Sequence, residues 1–93
     1  MTCPDEIAQI LLEILGIGIV RIRGWAYAGE LDRCANEADH LHNLPFLLAS
    51  YRPELLDFYL DVERPTYLSH GGDSARYEVL WRKLLDLRKQ TSR

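Results

Sequence analysis

The sequence predicts an all-α domain, a small bundle of four to five helices spanning residues 1–93. Three observations carry this expectation. Apolar residues recur three and four apart through nearly the whole chain, the spacing that lines one face of a helix. Chain breakers gather at a few places, around Asn43-Leu44-Pro45, at Pro65 and in Ser69–Asp73, leaving uninterrupted segments of helical length. The single β-branched stretch, Ile17–Arg23 (IGIVRIR), has no second strand to pair with.

The elements follow in order. Thr2 and Asp5 can cap a first helix, with Pro4 tolerated in its opening turn. Its stripe is Ile7, Leu11 and Ile14. Gly16 and Gly18 mark a kink or break, because the stripe changes phase there. A long helix over about residues 17–42 follows. Its seam, Val20, Gly24, Tyr27, Leu31, Cys34, Ala38 and Leu41, alternates fours and threes over three heptads. Asn43 caps a short third helix that has Pro45 in its first turn and Phe46, Leu47 and Leu48 on its buried side. Pro53 opens a fourth helix, and Pro65 ends it near Glu63. The SHGGD loop leads to a last helix capped by Asp73 or Ser74, with the core stripe Tyr77, Leu80, Trp81, Leu84 and Leu87.

Composition narrows the function classes. Apolar residues at 47% and charged residues at 27% are ordinary for one globular domain. A net charge of −3 argues against nucleic acid as a partner, since such binding rests on neutralising phosphates. Arg82, Lys83, Arg88, Lys89 and Arg93 do gather at the end of the chain, where they read as the solvated face of a terminal helix. Two cysteines, Cys3 and Cys34, form neither a disulfide framework nor a zinc spacing. No apolar run spans a bilayer or has the basic flank of a signal peptide, so a cytoplasmic location is expected.

The densest chemistry is Glu37–Pro45 (EADHLHNLP). On a helix, Glu37 and His40 share a face, whereas His40 and His42 point about 200° apart and cannot hold one ion together. Glu37-x-x-His40 matches half of a di-iron bundle pattern, with Glu54 and Glu63 as further carboxylates and His70 as a further imidazole, but no second copy of the motif exists. The sequence therefore predicts no cofactor and no metal. It favours a plainer reading, in which Glu30, Arg33 and Glu37 form an exposed ion-paired face and His40 and His42 sit in the last helical turn. Ser69, His70 and Asp73 lie too close in sequence for triad geometry. Gly16-x-Gly18 lacks the rest of a phosphate loop. Arg21, beside Trp25, is placed to stack on an aromatic ring or to pair with Asp57, Asp61 or Glu63.

The expected function is that of a helical interaction or accessory protein rather than an enzyme. It self-associates, as a homodimer, or docks on a protein partner, since Trp25, Tyr27, Tyr51, Phe58, Tyr59 and Trp81 exceed what so small a core needs. Ile10, Ile17 and Trp25 would face the partner copy, with small Gly18 letting it come close. The alternative is a ligand- or metal-binding bundle using Arg21, Trp25, Glu37, His40, His42, Glu63 and His70. A nucleic-acid-associated regulator working through the basic last helix is a further alternative.

Overall fold

The computed structural model describes residues 2–91. Those residues form helices joined by short turns. They are α1 (Asp5–Tyr27), α2 (Leu31–Leu41), α3 (Leu44–Ala49), α4 (Pro53–Phe58), α5 (Arg64–Ser69) and α6 (Glu78–Thr91), with a π-helical turn at Tyr59–Glu63 linking α4 to α5. The all-α bundle expected from the spacing is the fold observed.

The first two helices differ from expectation. Pro4 stands at the N-cap position of α1 and no side chain caps it. Residues 5–27 then form one helix straight through Gly16 and Gly18, with no break there. A helical glycine costs about 1 kcal/mol against alanine, too little to divide a helix held by the burial of Ile7, Leu11 and Ile14. The helix over residues 17–42 does not exist as such, because the chain turns at Ala28–Glu30. Gly29 takes φ +75 in that turn, a backbone region that only glycine enters freely.

That turn dissolves the long seam. Val20, Tyr27 and Leu31 are 63%, 81% and 74% exposed. Gly24 has no neighbour within contact distance of a would-be Cβ. Cys34 is half-buried and its thiol faces the carbonyl of Ile22 at 3.4 Å. Gly18 does permit a close approach, but to α2 of the same chain. A Cβ there would lie 2.1 Å from Cδ1 of Leu41. Ile10 is buried and Ile17 packs against the core, so the surface expected to meet a partner copy is occupied within the chain.

The rest of the core follows the pattern more closely, except that Phe46, expected on the buried side of α3, is 65% exposed. Leu44, Leu47, Leu56, Tyr59 and Leu60 are buried with the α6 residues Leu80, Trp81 and Leu84. Leu87 packs at the edge. Of the aromatics read as surplus, Tyr51, Tyr59 and Trp81 belong to this core, while Tyr27 and Phe58 are exposed. Pro65 does not end its helix. The backbone N–H of Arg64 reaches back five residues to the carbonyl of Tyr59, widening the turn just before the proline ring. The carbonyl of Leu60 loses its α-helical donor as a result, and Nε of Arg64 replaces it at 3.0 Å. Asp73 accepts from the backbone N–H of Ala75 at 2.9 Å in the turn that precedes α6, and α6 itself begins at Glu78.

Candidate functional site

Glu37 is the centre of a buried charge cluster. It is 2% exposed, and neighbouring His40 is 1% exposed. The exposed ion-paired face expected for Glu30, Arg33 and Glu37 is therefore replaced by a different arrangement. The i,i+3 spacing does put Glu37 and His40 on one face of α2, but that face points inward.

Four groups converge on the carboxylate. Tyr67 from α5 donates its hydroxyl to Oε1 at 2.9 Å. Tyr77, just before α6, donates to Oε2. Nε2 of His40 lies 3.2 Å from Oε2. Nε of Arg21, from α1, lies 3.3 Å from Oε1 but off the hydrogen-bonding line, so this contact is an ion pair. The partners expected for Arg21 (Asp57, Asp61 or Glu63) are not its partners. Its other contact is Asp73 at 3.2 Å, and Arg88 takes Asp57 and Asp61 instead, at 3.3 and 2.9 Å.

The network continues behind His40. Trp81 donates its indole N–H to the Tyr59 hydroxyl at 3.0 Å, and that hydroxyl lies 3.4 Å from Nδ1 of His40. With its proton on Nε2, the imidazole donates to Glu37 and accepts from Tyr59. The ring itself stacks on Tyr67, with centroids 4.0 Å apart, and meets Tyr77 edge-on at 5.0 Å. His40 does not sit free in the last turn of α2 offering its nitrogens to the helix carbonyls.

The loop after α5 closes the cluster. Gly71 takes φ +83, and Gly72 lies so close to Tyr67 that a Cβ would come within 2.5 Å of the ring. The backbone N–H of Asp73 then donates to the Tyr67 hydroxyl at 3.0 Å.

The electrostatics follow from these contacts. Burial opposes ionisation of Glu37, but the hydrogen bonds from His40, Tyr77 and Tyr67 outweigh it and hold its pKa below the ordinary carboxylate value. Burial, reinforced by the hydrogen bond and charge of Glu37, pushes the Tyr67 phenol up to about 12 and raises that of Tyr77 further still. Tyr59 is raised by burial. Burial disfavours the charge of Arg21, and Glu37, Tyr67 and Asp73 restore it with a net upward shift. Both Glu37 oxygens are thus engaged by donors. A carboxylate so held is poorly suited to general-base work, which needs a lone pair directed at a substrate proton.

Two depressions flank the cluster. The first, a cleft of about 390 Å³, is lined by Arg21, Trp25, Arg33, Asn36, Glu37 and the His70–Asp73 loop. Trp25 is half-buried there, with the Arg33 guanidinium 4.7 Å and that of Arg21 5.8 Å from its ring centre. The second, of about 300 Å³, brings His40, His42, Glu63 and His70 together with Phe58 and Val62. Glu63 is buried. It accepts from the Asn43 side chain at 3.0 Å and pairs with Nδ1 of His42 at 3.1 Å. Asn43 accordingly does not cap α3 with its side chain.

The seven candidate residues thus divide between two neighbouring depressions, joined through Glu37, His40 and His70. No group of three or more His, Cys, Asp or Glu side chains among the described residues is arranged to hold a metal ion. The partners Tyr67, Tyr77 and Asp73 were not anticipated. Their one visible signal is the excess of tyrosines carrying a polar hydroxyl on otherwise apolar stripes. Among the described residues, no helix is long and apolar enough to cross a membrane. In comparisons with known proteins, the chain matches no family, no curated protein and no solved structure.

Proposed function

We propose that this chain is a helical interaction module rather than an enzyme, and that it self-associates through the outer face of α1. The observation that carries this reading is a helix with large apolar side chains on its outer face as well as its inner one. Around α1 at about 100° per residue, the core stripe Ile7, Ile10, Leu11, Ile14 and Gly18 occupies one side. The opposite, exposed side holds Gln9, Leu12, Glu13, Gly16, Ile19, Val20, Arg23 and Tyr27. A solvent-facing arc on a surface helix ordinarily carries charge. This one offers large apolar side chains of the kind that mark contact surfaces.

The acid–base groups support the same reading from the other side, because Glu37 and His40 are engaged with one another and with tyrosines. The basic α6 commits Arg88 to Asp57 and Asp61, which weakens the nucleic-acid alternative. With Cys3 and Cys34 both free thiols, a reducing cytoplasm is the proposed setting. Sedimentation equilibrium at micromolar concentration tests the reading. The parent is expected to exceed 10.8 kDa, and Ile19→Asp to return it to a monomer with an unchanged circular-dichroism spectrum. A parent that stays monomeric at every concentration sinks the proposal.

The cleft beside Trp25 supports a second reading, a small-ligand site. Its volume suits a small molecule, and an aromatic ring with two guanidinium groups near it suits a planar anion. Quenching of Trp25 fluorescence by such compounds, lost in Arg33→Ala, tests it.

A further inference from the structure

Resting on the reading that α1 is the association face, we propose that two copies pair α1 against α1 in antiparallel sense, about a two-fold axis between residues 17 and 18, with Glu13 of each copy paired to Arg23 of the other. The outer face of α1 carries a seam of exposed residues alternately three and four apart: Gln9, Leu12, Gly16, Ile19, Arg23 and Ala26. This is the spacing by which two helices keep one line of contact. Glu13, Val20 and Tyr27 flank it on one side and are exposed as well.

The side chains select the direction. A parallel, in-register pair sets Arg23 against Arg23 and Gly16 against Gly16, placing like charges together and leaving a void at the centre. The antiparallel arrangement sets Gly16 against the partner's Ile19 twice, around the axis. A Cβ added at Gly16 would find nothing within 4 Å in the chain itself, so the space above it is free to receive that isoleucine. Leu12 then lies against the partner's Arg23, and Glu13 is offset from that arginine by one residue, about 1.5 Å along the axis. Arg23 lies over the exposed ring of its own Tyr27, 5.2 Å away, a contact that it can exchange for a carboxylate.

A shifted antiparallel register centred on residue 14 pairs Asp5 with the partner's Arg23. It also brings Glu13 beside the partner's Glu13 and leaves Tyr27 uncovered. The register about residues 17 and 18 avoids both faults. It overlaps residues 8–27 over about 30 Å. It covers Leu12, Ile19, Val20 and Tyr27, which are 54%, 61%, 63% and 81% exposed in the single chain.

The test is a charge swap followed by sedimentation equilibrium in low salt. Glu13→Arg and Arg23→Glu, both at exposed positions, are each expected to weaken the dimer about tenfold. The chain carrying both substitutions is expected to return to within about threefold of the parent. Asp5→Arg is expected to leave the affinity within twofold. A double variant as weak as the singles overturns the antiparallel register, as does Asp5→Arg weakening the dimer as much as Glu13→Arg does. In either case, a parent dimer still disrupted by Ile19→Asp leaves the association face standing. A parent that is monomeric at all concentrations overturns both proposals.

Discussion

Replacing Glu37 by glutamine tests the buried cluster while keeping side-chain shape. The carboxylate offers two acceptor oxygens to Tyr67, Tyr77, His40 and Arg21. The amide offers one oxygen and sets an N–H₂ against donors on the other side. At least one buried O–H or N–H then faces another donor. Arg21 keeps only Asp73, which is itself half exposed. A hydrogen bond to a charged group is worth about 1.5–3 kcal/mol, and removing one partner of a buried ion pair costs about 3–5 kcal/mol. Glu37→Gln should therefore lose about 3 kcal/mol, against a total stability of about 5–14 kcal/mol for a chain of this length. Tm should fall by about 12–24 °C.

Urea unfolding followed at 222 nm, at one protein concentration for all variants, measures the loss. Glu78→Gln, at an exposed ion pair, is the control and should change stability by under about 1 kcal/mol. The pH dependence adds a second readout. Because the folded-state pKa of Glu37 lies below its unfolded value, its contribution is present above the unfolded value and is lost as pH falls through the folded one. The gap between parent and Glu37→Gln should narrow as the pH is lowered through the acid range. A Glu37→Gln protein within about 1 kcal/mol of the parent at neutral pH would refute the assignment of this cluster as a main tie of the fold.

Other outcomes follow from the same structure. With Tyr67 raised to about 12 and Tyr59 and Tyr77 raised as well, the tyrosinate absorbance should climb steeply as the protein unfolds in alkali. Phenols kept neutral by the fold stabilise it fully below their unfolded pKa, and that stability disappears as pH rises from about 10 through the folded values. A gradual titration of these three tyrosines near pH 10 in the folded protein would contradict their burial. Gly18→Ala should destabilise by about 1–3 kcal/mol, since its methyl group displaces the buried end of Leu41. Leu31→Asp, on an exposed position, should change the melting midpoint little, the reverse of what the seam in the sequence implies.

The legible parts of this fold are those in which one helix face meets one core. Ile7, Leu11 and Ile14, and likewise Tyr77, Leu80, Trp81 and Leu84, announce buried stripes by spacing alone, and all seven are buried. The position of the first break was not legible. Gly16, Gly18, Gly24 and Gly29 are equivalent in the sequence, and only packing against Leu41 and the turn at Ala28–Glu30 decide which of them bends the chain. The false seam arose because the outer apolar arc of α1, containing Val20 and Tyr27, runs by chance into Leu31 and Leu41 at the same spacing. Amphipathic reasoning assigns every apolar stripe to the interior, so an outward one is misread. The Glu37–His40 pair was visible as a shared face, but its burial was not. A carboxylate is rarely buried without partners, and three of its partners, Arg21, Tyr67 and Tyr77, lie 16 to 40 residues away.

Those separations give the cluster a consequence for how the chain holds together. One carboxylate is bound by α1, by its own helix, by α5 and by the residue that leads into α6. No contiguous half of the protein satisfies it. A fragment ending before Tyr67 keeps the charge but loses both phenol donors, and a fragment beginning after Glu37 keeps the phenols with nothing to receive them. The chain is therefore expected to open as a single cooperative unit. The slowest-exchanging amides of α1, α2 and α6 should share one opening free energy, and splitting the protein at the Ala28–Glu30 turn should yield two unstructured pieces rather than two smaller domains.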